Sequence, residues 1–349
     1  MATISAGPLT TFVKDIFVSH GAAVSKAEIV ARSLVDANLK GHDSHGVIRV
    51  IEYVAWIAKG WIMPNADLEV LRETDSMLLV DGHFGFGQVI GREATALAID
   101  KAKRSGVCVL SIRQSAHLGR IGEWAEMAAE AGLVCFSFTN THGGGVLVAP
   151  HGGRERRLSA NPLGAGAPLP NGEMLVMDFA TSTIAEGKLK VARAKGESVP
   201  PGSFVNAQGL PSTDPEEYYA DPPGALLPFG GHKGYSLSLF ADILAGALSG
   251  AGCSKGDARV ANAMLAVFLD PNAFAGMEFF QQETCALVRR VKDCPPMEDV
   301  NEVLVPGEPE ARTLAVRMAA GIAIEETTWR RLVEIASESD TRIPEMKAV

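Results

Sequence analysis

The sequence predicts an α/β fold, and three features predict it. Apolar side chains recur at helical spacing over the first 60 residues, short apolar runs alternate with amphipathic stretches and glycine turns from Ser76 onward, and helical spacing returns after Pro306. A chain of 349 residues has room for two or three domains and a substantial buried core. No internal repeat is apparent.

Leu9, Phe12, Val13, Ile16 and Phe17 share one helical face, which Gly21 closes. Ser25 with Glu28 three residues on reads as a capping box, opening a helix through Val30, Leu34 and Ala37 to Gly41. A third helix carries Ile48, Ile51 and Ala55 towards Gly60. Residues 76–81 (SMLLVD) form a buried strand, and a glycine-rich turn at 82–87 leads into a helix with Ile90, Ala94, Leu97 and Lys101 on one side. Gly106 ends that helix and residues 107–112 form a second strand. The glycine spacing from Gly85 is G-x-G-x-x-x-G, one residue off the dinucleotide fingerprint, and no acid ends the following strand at Ser111-Ile112-Arg113-Gln114. Glycines that bring a helix close onto a sheet explain this turn as well as a phosphate does.

His117-Leu118-Gly119-Arg120 precedes a helix in Ile121, Trp124 and Ala128. Residues 133–140 form a strand running into Thr141, His142 and three glycines. After a second glycine turn at 150–153 comes Ser159-Ala160-Asn161-Pro162, then a strand at 174–178 that ends Asp178-Phe179-Ala180. His117, Thr141 and Asp178 thus stand at element ends, where ligands commonly meet a sheet. Residues 195–231, rich in Pro, Gly, Ser and Asp, predict a long surface excursion of the kind that forms lids or binding loops. Lys233-Gly234 closes it and starts a helix over 235–248, apolar almost all round and therefore expected to be central and buried. A strand at 263–269 follows, and two helices run from Pro306 through Leu314 and Met318, then Trp329, Leu332 and Ala336.

Composition narrows the function. A formal charge of −9 and a pI near 5.5 disfavour a broad nucleic-acid surface, and the only dense basic run, Arg154 to Arg157, contains Glu155. Five cysteines without a CxxC pair suit reduced thiols and a cytoplasmic setting. The N-terminus lacks a basic then apolar leader, and no uninterrupted apolar run reaches about 18 residues, so neither export nor a membrane span is expected.

The densest chemistry lies in Gly41-His42-Asp43-Ser44-His45-Gly46-Val47-Ile48-Arg49. A helix beginning near Ser44 would place His45 and Arg49 on one face, a proton carrier beside a guanidinium fork able to hold a carboxylate. The free N–H groups of a helix's first turn favour the same anion. An N-cap at Ser44, surface histidines and a rim salt bridge at Arg49 account equally for these residues taken alone. His42 and His45 have metal-like spacing but lack a third ligand of matched spacing, so no metal is expected. His142-Gly143-Gly144-Gly145 imitates a hydrolase oxyanion loop and Gly234-Tyr235-Ser236-Leu237-Ser238 a nucleophile elbow. His232 is the last histidine, so the order Ser, acid, His cannot be completed.

The chain resembles the type 2 malate/L-lactate dehydrogenase family, which includes ureidoglycolate and sulfolactate dehydrogenases, 2,3-diketogulonate reductases and cyclic imino-acid reductases. The resemblance rests on GHDSHGVIRV, AHLGRIGEWAEMAAEAG, TNT, ANPLGAGAP, MDFATS with AEGKLK, GLPSTDP, PFGGHKGYSLSL and VPGEPEAR in that order. It implies a cofactor domain of non-Rossmann type, a mixed and largely antiparallel sheet over 76–305 with the long loop 195–231. A helical domain from 1–75 and 306–349 would carry the catalytic residues. It implies an NAD- or NADP-dependent oxidoreductase acting on a small carboxylic acid, and a homodimer.

By position, Ser44 and His45 match the family's catalytic pair, Arg49 its carboxylate-binding residue and His117 a second active-site histidine. His117, Leu118, Gly119, Arg120, Ile121, Thr141, Asp178, Phe179, Ala180, Lys233, Gly234, Pro306, Gly307 and Glu308 match cofactor contacts. Ala160 stands near the substrate where the family has Thr, and Ser203-Phe204 replace Gly-Trp. Lys188 stands where imino-acid reductases align an acid, which favours a 2-hydroxy or 2-oxo acid over a cyclic 2-imino acid. Arg120 is expected to meet a 2′-phosphate or to pair with Glu123.

Overall fold

The computed structural model describes residues 2–256, 259–338 and 341–346. In chain order the main elements are β1 (Ala2–Ile4), α1 (Ala6–Ser19), α2 (Val24–Leu39), α3 (Arg49–Ala58), β2 (Glu69–Thr74), β3 (Met77–Asp81), α4 (Gly87–Ser105), β4 (Val107–Ser115), α5 (Gly122–Glu130), β5 (Val134–Gly143), β6 (Leu163–Pro168) and β7 (Met174–Phe179). They continue with α6 (Glu186–Lys195), β8 (Phe204–Val205), β9 (Pro211–Ser212), α7 (Pro215–Tyr218), β10 (Ala225–Leu226), α8 (His232–Ala241), β11 (Val260–Leu269), α9 (Met277–Lys292), α10 (Glu308–Ala320), β12 (Ile322–Ile324) and α11 (Glu326–Ser337).

The fold is α/β. Its seven-stranded sheet has the order β2-β3-β4-β11-β5-β6-β7, and only the β3–β4 pair is parallel. The mixed, largely antiparallel sheet excludes a doubly wound parallel architecture. β11 lies centrally, with Phe268 opposite Cys108 on one side and Cys135 on the other. Leu110, Ile112, Met264 and Phe268 pack with Ala94 and Ala98 of α4 and Trp124 of α5. Gly91 lies against the Trp124 ring, where a Cβ would come within 2.6 Å, and one at Gly87 would collide with the His117 carbonyl. The glycines after β3 therefore serve close helix packing.

A second core gathers Leu9, Phe12, Val13, Ile16 and Phe17 of α1 with Val30 and Leu34 of α2, Val50 and Tyr53 of α3, and Leu332 and Ala336 of α11. β1 and β12 pair antiparallel beside it, joining the two ends of the chain. Two local expectations are corrected here. Ser25 does not cap α2; Ala23 holds the N-cap position without a side-chain bond, its N–H donating to Asn65 Oδ1 at 2.7 Å. On α3 the buried residues are Val50 and Tyr53, while Ile48 is exposed, so the apolar stripe lies one position from the expected one.

The excursion expected over residues 195–231 carries structure of its own. β10, β8 and β9 form a small antiparallel sheet, and Phe204, Tyr218 and Leu226 pack with Leu189 of α6 and Val148 in a third core. Aromatic side chains among the prolines supply enough buried surface to order the segment. The helix expected to be buried all round is half open. After α8 the chain widens into a π-helical turn, Asp242–Ala247, and Phe240, Ile243 and Leu248 remain exposed. The exposed apolar row, together with Phe274 and Phe279 near α9, explains why periodicity gave no polar face. Among the described residues, no helix is long and apolar enough to cross a membrane.

Candidate active site

The 41–49 motif is not the start of one helix. Asp43–His45 form a single 3₁₀ turn, Gly46 is extended, and α3 begins at Arg49, so Ser44 is not its N-cap and His45 and Arg49 do not share a helical face. Asn38 of α2 forces the break. Its Oδ1 accepts the Val47 N–H at 2.8 Å, its Nδ2 donates to Asp43 Oδ1 at 2.6 Å, and its amide fills the space a Cβ at Gly46 would need. Arg317 of α10 clamps Asp43 from the other side at 2.6 and 3.0 Å. His42 Nε2 lies 3.4 Å from Glu310 of the same helix.

The turn still gathers the expected groups. Ser44 Oγ lies 3.0 Å from His45 Nδ1, and the Arg49 Nε donates back to the Ser44 carbonyl at 2.7 Å. The His45 ring stacks on that of His117, centroids 5.4 Å apart and planes inclined by 20°. Burial pushes the His45 imidazole down to about 3, and the Arg49, His42 and Arg120 charges add to this. Burial and the Arg49 charge hold His117 well below the usual imidazole range. Both rings are therefore neutral at neutral pH.

Three residues that the sequence reading passed over complete the group. Tyr53, one turn after Arg49 on α3, places its hydroxyl 2.7 Å from His117 Nδ1, and Gln88 of α4 donates Nε2–H to the same oxygen at 2.9 Å. Glu52 accepts from Arg49 Nη1 at 2.5 Å. The i, i+3 and i, i+4 spacings from Arg49 were legible signals for Glu52 and Tyr53; Gln88 left none.

Asn262 of β11 connects several of the remaining positions. Its Oδ1 accepts the Leu118 N–H at 2.8 Å and its Nδ2 donates to Thr141 Oγ1 at 3.1 Å. Thr141 N–H reaches Asn161 Oδ1 at 3.3 Å, and Ala160 beside it accepts both the N–H and the hydroxyl of Thr181 at 2.8 Å. Asp178 accepts the Gly122 N–H at 2.8 Å at the start of α5, its carboxyl raised by burial. The Phe179 ring meets Phe229 edge-on, and a Cβ at Gly234 would lie 2.6 Å from the Phe229 carbonyl and 2.8 Å from that of Thr181. Residues 117–122, 141, 160, 178–181 and 233–234 are thereby linked.

Pro306-Gly307-Glu308 lies apart from that chain of contacts. The Pro306 carbonyl accepts from Val176 at 3.1 Å, before the end of β7 where Asp178 stands, and Glu308 pairs with Lys292. Arg120 contradicts both readings made for it. Its side chain is 1% exposed and Nη2 pairs with Glu126 at 2.5 Å and Asp36 at 3.3 Å, so it neither faces a solvent-side phosphate nor pairs with Glu123. Glu123 instead accepts from Ser33 at 2.5 Å, and burial pushes its carboxyl up to about 7. Ser203 and Phe204 are buried and belong to the small-sheet region, Phe204 lying in its core. Among the described residues no three of His, Cys, Asp or Glu are grouped to hold a metal ion.

Comparison with known proteins defines first a class: the chain is a dehydrogenase. It is 38% identical over 336 residues to an L-lactate dehydrogenase of Cupriavidus necator, covering 95% of this chain and 96% of that one. The sulfolactate dehydrogenase structure from Methanocaldococcus jannaschii superposes with a TM-score of 0.88 at 33% identity, covering 97% and 98% of the two chains. The delta1-piperideine-2-carboxylate reductase from Pseudomonas syringae pvar. tomato superposes with a TM-score of 0.84 at 34% identity, covering 96% and 100%. Residues 4–333 match the model of the malate/L-lactate dehydrogenase family, and the chain belongs to that family.

Proposed function

We propose that the protein exchanges a hydride between NAD or NADP and C2 of a small 2-hydroxy or 2-oxo acid. The observation that carries this reading is the stacked pair His45 and His117 beside Arg49. In reduction, Arg49 holds the substrate carboxylate, and His45 or His117 exchanges the proton at the C2 oxygen while Ser44 steadies the His45 ring. A bound carboxylate offsets the Arg49 charge and so eases protonation of both imidazoles. The nicotinamide, when bound, supplies or accepts the hydride.

The residues at 178–181 and 229–234 fit such a cofactor. Gly234 is packed where no Cβ fits, Lys233 is exposed in the first turn of α8, and the positive φ of Gly230 and Gly231 shapes the turn before it. The N–H groups of Lys233, Gly234 and Tyr235 are bonded to the preceding turn, so the exposed Lys233 ammonium and the positive end of the helix are what suit a pyrophosphate there. Leu118, Gly119, Ile121, Thr141 and Asp178 to Ala180 would line the same groove, with Pro306 to Glu308 at its margin and Ala160 near the substrate. The helical unit would comprise 1–75 and 306–349 and the cofactor unit 76–305. The exposed apolar residues of α8 and α9 support a homodimer.

A second reading, reduction of a cyclic 2-imino acid, is supported by the likeness to the piperideine-carboxylate reductase. Lys188 opposes it: α6 packs on the site through Gly187, where a Cβ would lie 3.1 Å from that of Ser44, and Lys188 follows with an exposed cation. Assays of pyruvate, oxaloacetate and other 2-oxo acids against cyclic imines, each with NADH and NADPH, separate the readings. Turnover of imines alone would sink the first, and oxidation of neither coenzyme with any substrate would sink both.

A further inference from the structure

Tyr53 is 1% exposed, and its hydroxyl meets two groups at short range. Gln88, itself fully buried, can only donate through Nε2, at 2.9 Å. His117 Nδ1 lies at 2.7 Å, whereas the nearest other acceptor, the His117 carbonyl, is 3.5 Å away. A phenol has one hydrogen to give. With the Gln88 amide occupying one lone pair, that hydrogen goes to the close nitrogen.

We propose that Gln88 and Tyr53 are positioning residues that lock His117 as the tautomer protonated on Nε2, so that His117 donates a hydrogen bond to the substrate's C2 oxygen and His45 alone carries the proton. The proposal rests on the 2-oxo acid reading given above. A neutral imidazole with Nδ1 tied up as an acceptor and Nε2–H free has no bare nitrogen with which to receive a proton. Giving up its Nε2 proton would leave an imidazolate. In reduction, the bound carboxylate offsets the Arg49 charge and lets His45 take a proton from solvent; hydride then adds to C2, the carbonyl π pair moves onto oxygen, and that oxygen takes the proton from His45, which returns to neutral imidazole. His117 keeps its own proton throughout and stabilises the oxygen as charge develops there. Burial keeps Tyr53 a phenol, its ionisation raised far above the ordinary tyrosine range, so the direction of the chain does not reverse with pH.

The direct test is long-range nitrogen-15 spectroscopy of the histidine-labelled full-length protein, which needs no turnover. His117 should show a protonated Nε2 and a bare Nδ1 unchanged from pH 5 to pH 9. A protonated Nδ1, or a titration inside that range, overturns the proposal. Gln88→Glu offers Tyr53 a stronger acceptor and should move the His117 proton to Nδ1; an unchanged spectrum in a folded variant also overturns it.

Kinetics give an independent arm. His117→Gln retains an N–H donor and should keep kcat within about tenfold of wild type, against a loss on the order of 10²-fold for His117→Ala. His45→Gln should be as impaired as His45→Ala. If His117→Gln is as inactive as His117→Ala, His117 is the proton carrier and the proposal fails. If neither Ala variant loses activity, the 2-oxo acid site itself is misplaced, a result distinguishable because the spectrum still reads the tautomer.

Discussion

The imidazoles of His45 and His117 lie 5.4 Å apart and nearly parallel, although 72 positions of chain separate them. His45 is held from the helical side by Ser44 on the 3₁₀ turn, and His117 follows β4 of the sheet. The pair therefore joins the two main cores. Replacing either by Ala should lower kcat by on the order of 10²-fold or more, with little change in KM, as expected for groups acting at the reacting atoms. Steady-state kinetics with the best substrate of the screen checks this, and wild-type turnover in both variants would sink it.

Arg49→Ala should act on KM instead. Loss of a charge-assisted bond of about 1.5–3 kcal/mol corresponds to a rise on the order of 10- to 100-fold for the carboxylate substrate. Arg49→Lys should recover only part of it, because an ammonium lacks the planar fork. Coenzyme KM should stay constant in both.

Acid should weaken the fold from a definite point. His45 ionises near 3 in the folded chain and near 6.5 when unfolded, so between those values the unfolded state binds more protons. The contribution is fully present above about pH 6.5 and is lost as pH falls towards 3, with His117 adding in the same direction. Glu123, raised from 4.5 to about 7, acts oppositely, favouring the fold as pH falls through 7 towards 4.5. Denaturant midpoints measured from pH 4 to pH 8 should thus fall less steeply on the acid side in His45→Gln and more steeply in Glu123→Gln.

Arg120→Met should cost stability without changing coenzyme choice. It would leave Asp36 and Glu126 sharing only Lys40, whose Nζ lies 2.8 and 2.7 Å from them, and removing one partner of a buried ion pair typically costs about 3–5 kcal/mol. Chemical unfolding reads the first effect. The ratio of kcat/KM for NADPH over NADH reads the second; a shift of tenfold or more would return Arg120 to the cofactor.

The apolar faces of α1 and α2 were legible because their periodicity matches burial residue for residue, as at Leu9, Phe12 and Val13. β2 was invisible for the opposite reason: EVLRET is exposed at every position and has no buried face to announce. β6 reads LGAGAP, in which glycines needed for the close approach of α5 mimic a turn. In the site, residue types near one another in sequence were readable, whereas Gln88 reaches Tyr53 from 35 positions away and carries no motif. Arg120 misled because an isolated arginine beside a glycine suggests an anion, and only the structure shows Asp36 and Glu126 around it.

Arg49 and Tyr53 stand four residues apart on α3, and a rise of about 1.5 Å per residue spaces them by about 6 Å along a rigid rod. If the first grips the carboxylate and the second orients the ring facing the C2 oxygen, α3 acts as a ruler for the two adjoining carbons of the substrate. It would then read the carboxylate and C2 of the proposed 2-hydroxy or 2-oxo acid and leave the tail unread. Discrimination among tails then falls to elements that pack onto the rod from elsewhere, and altering preference for one acid over another should require no change in α3 itself.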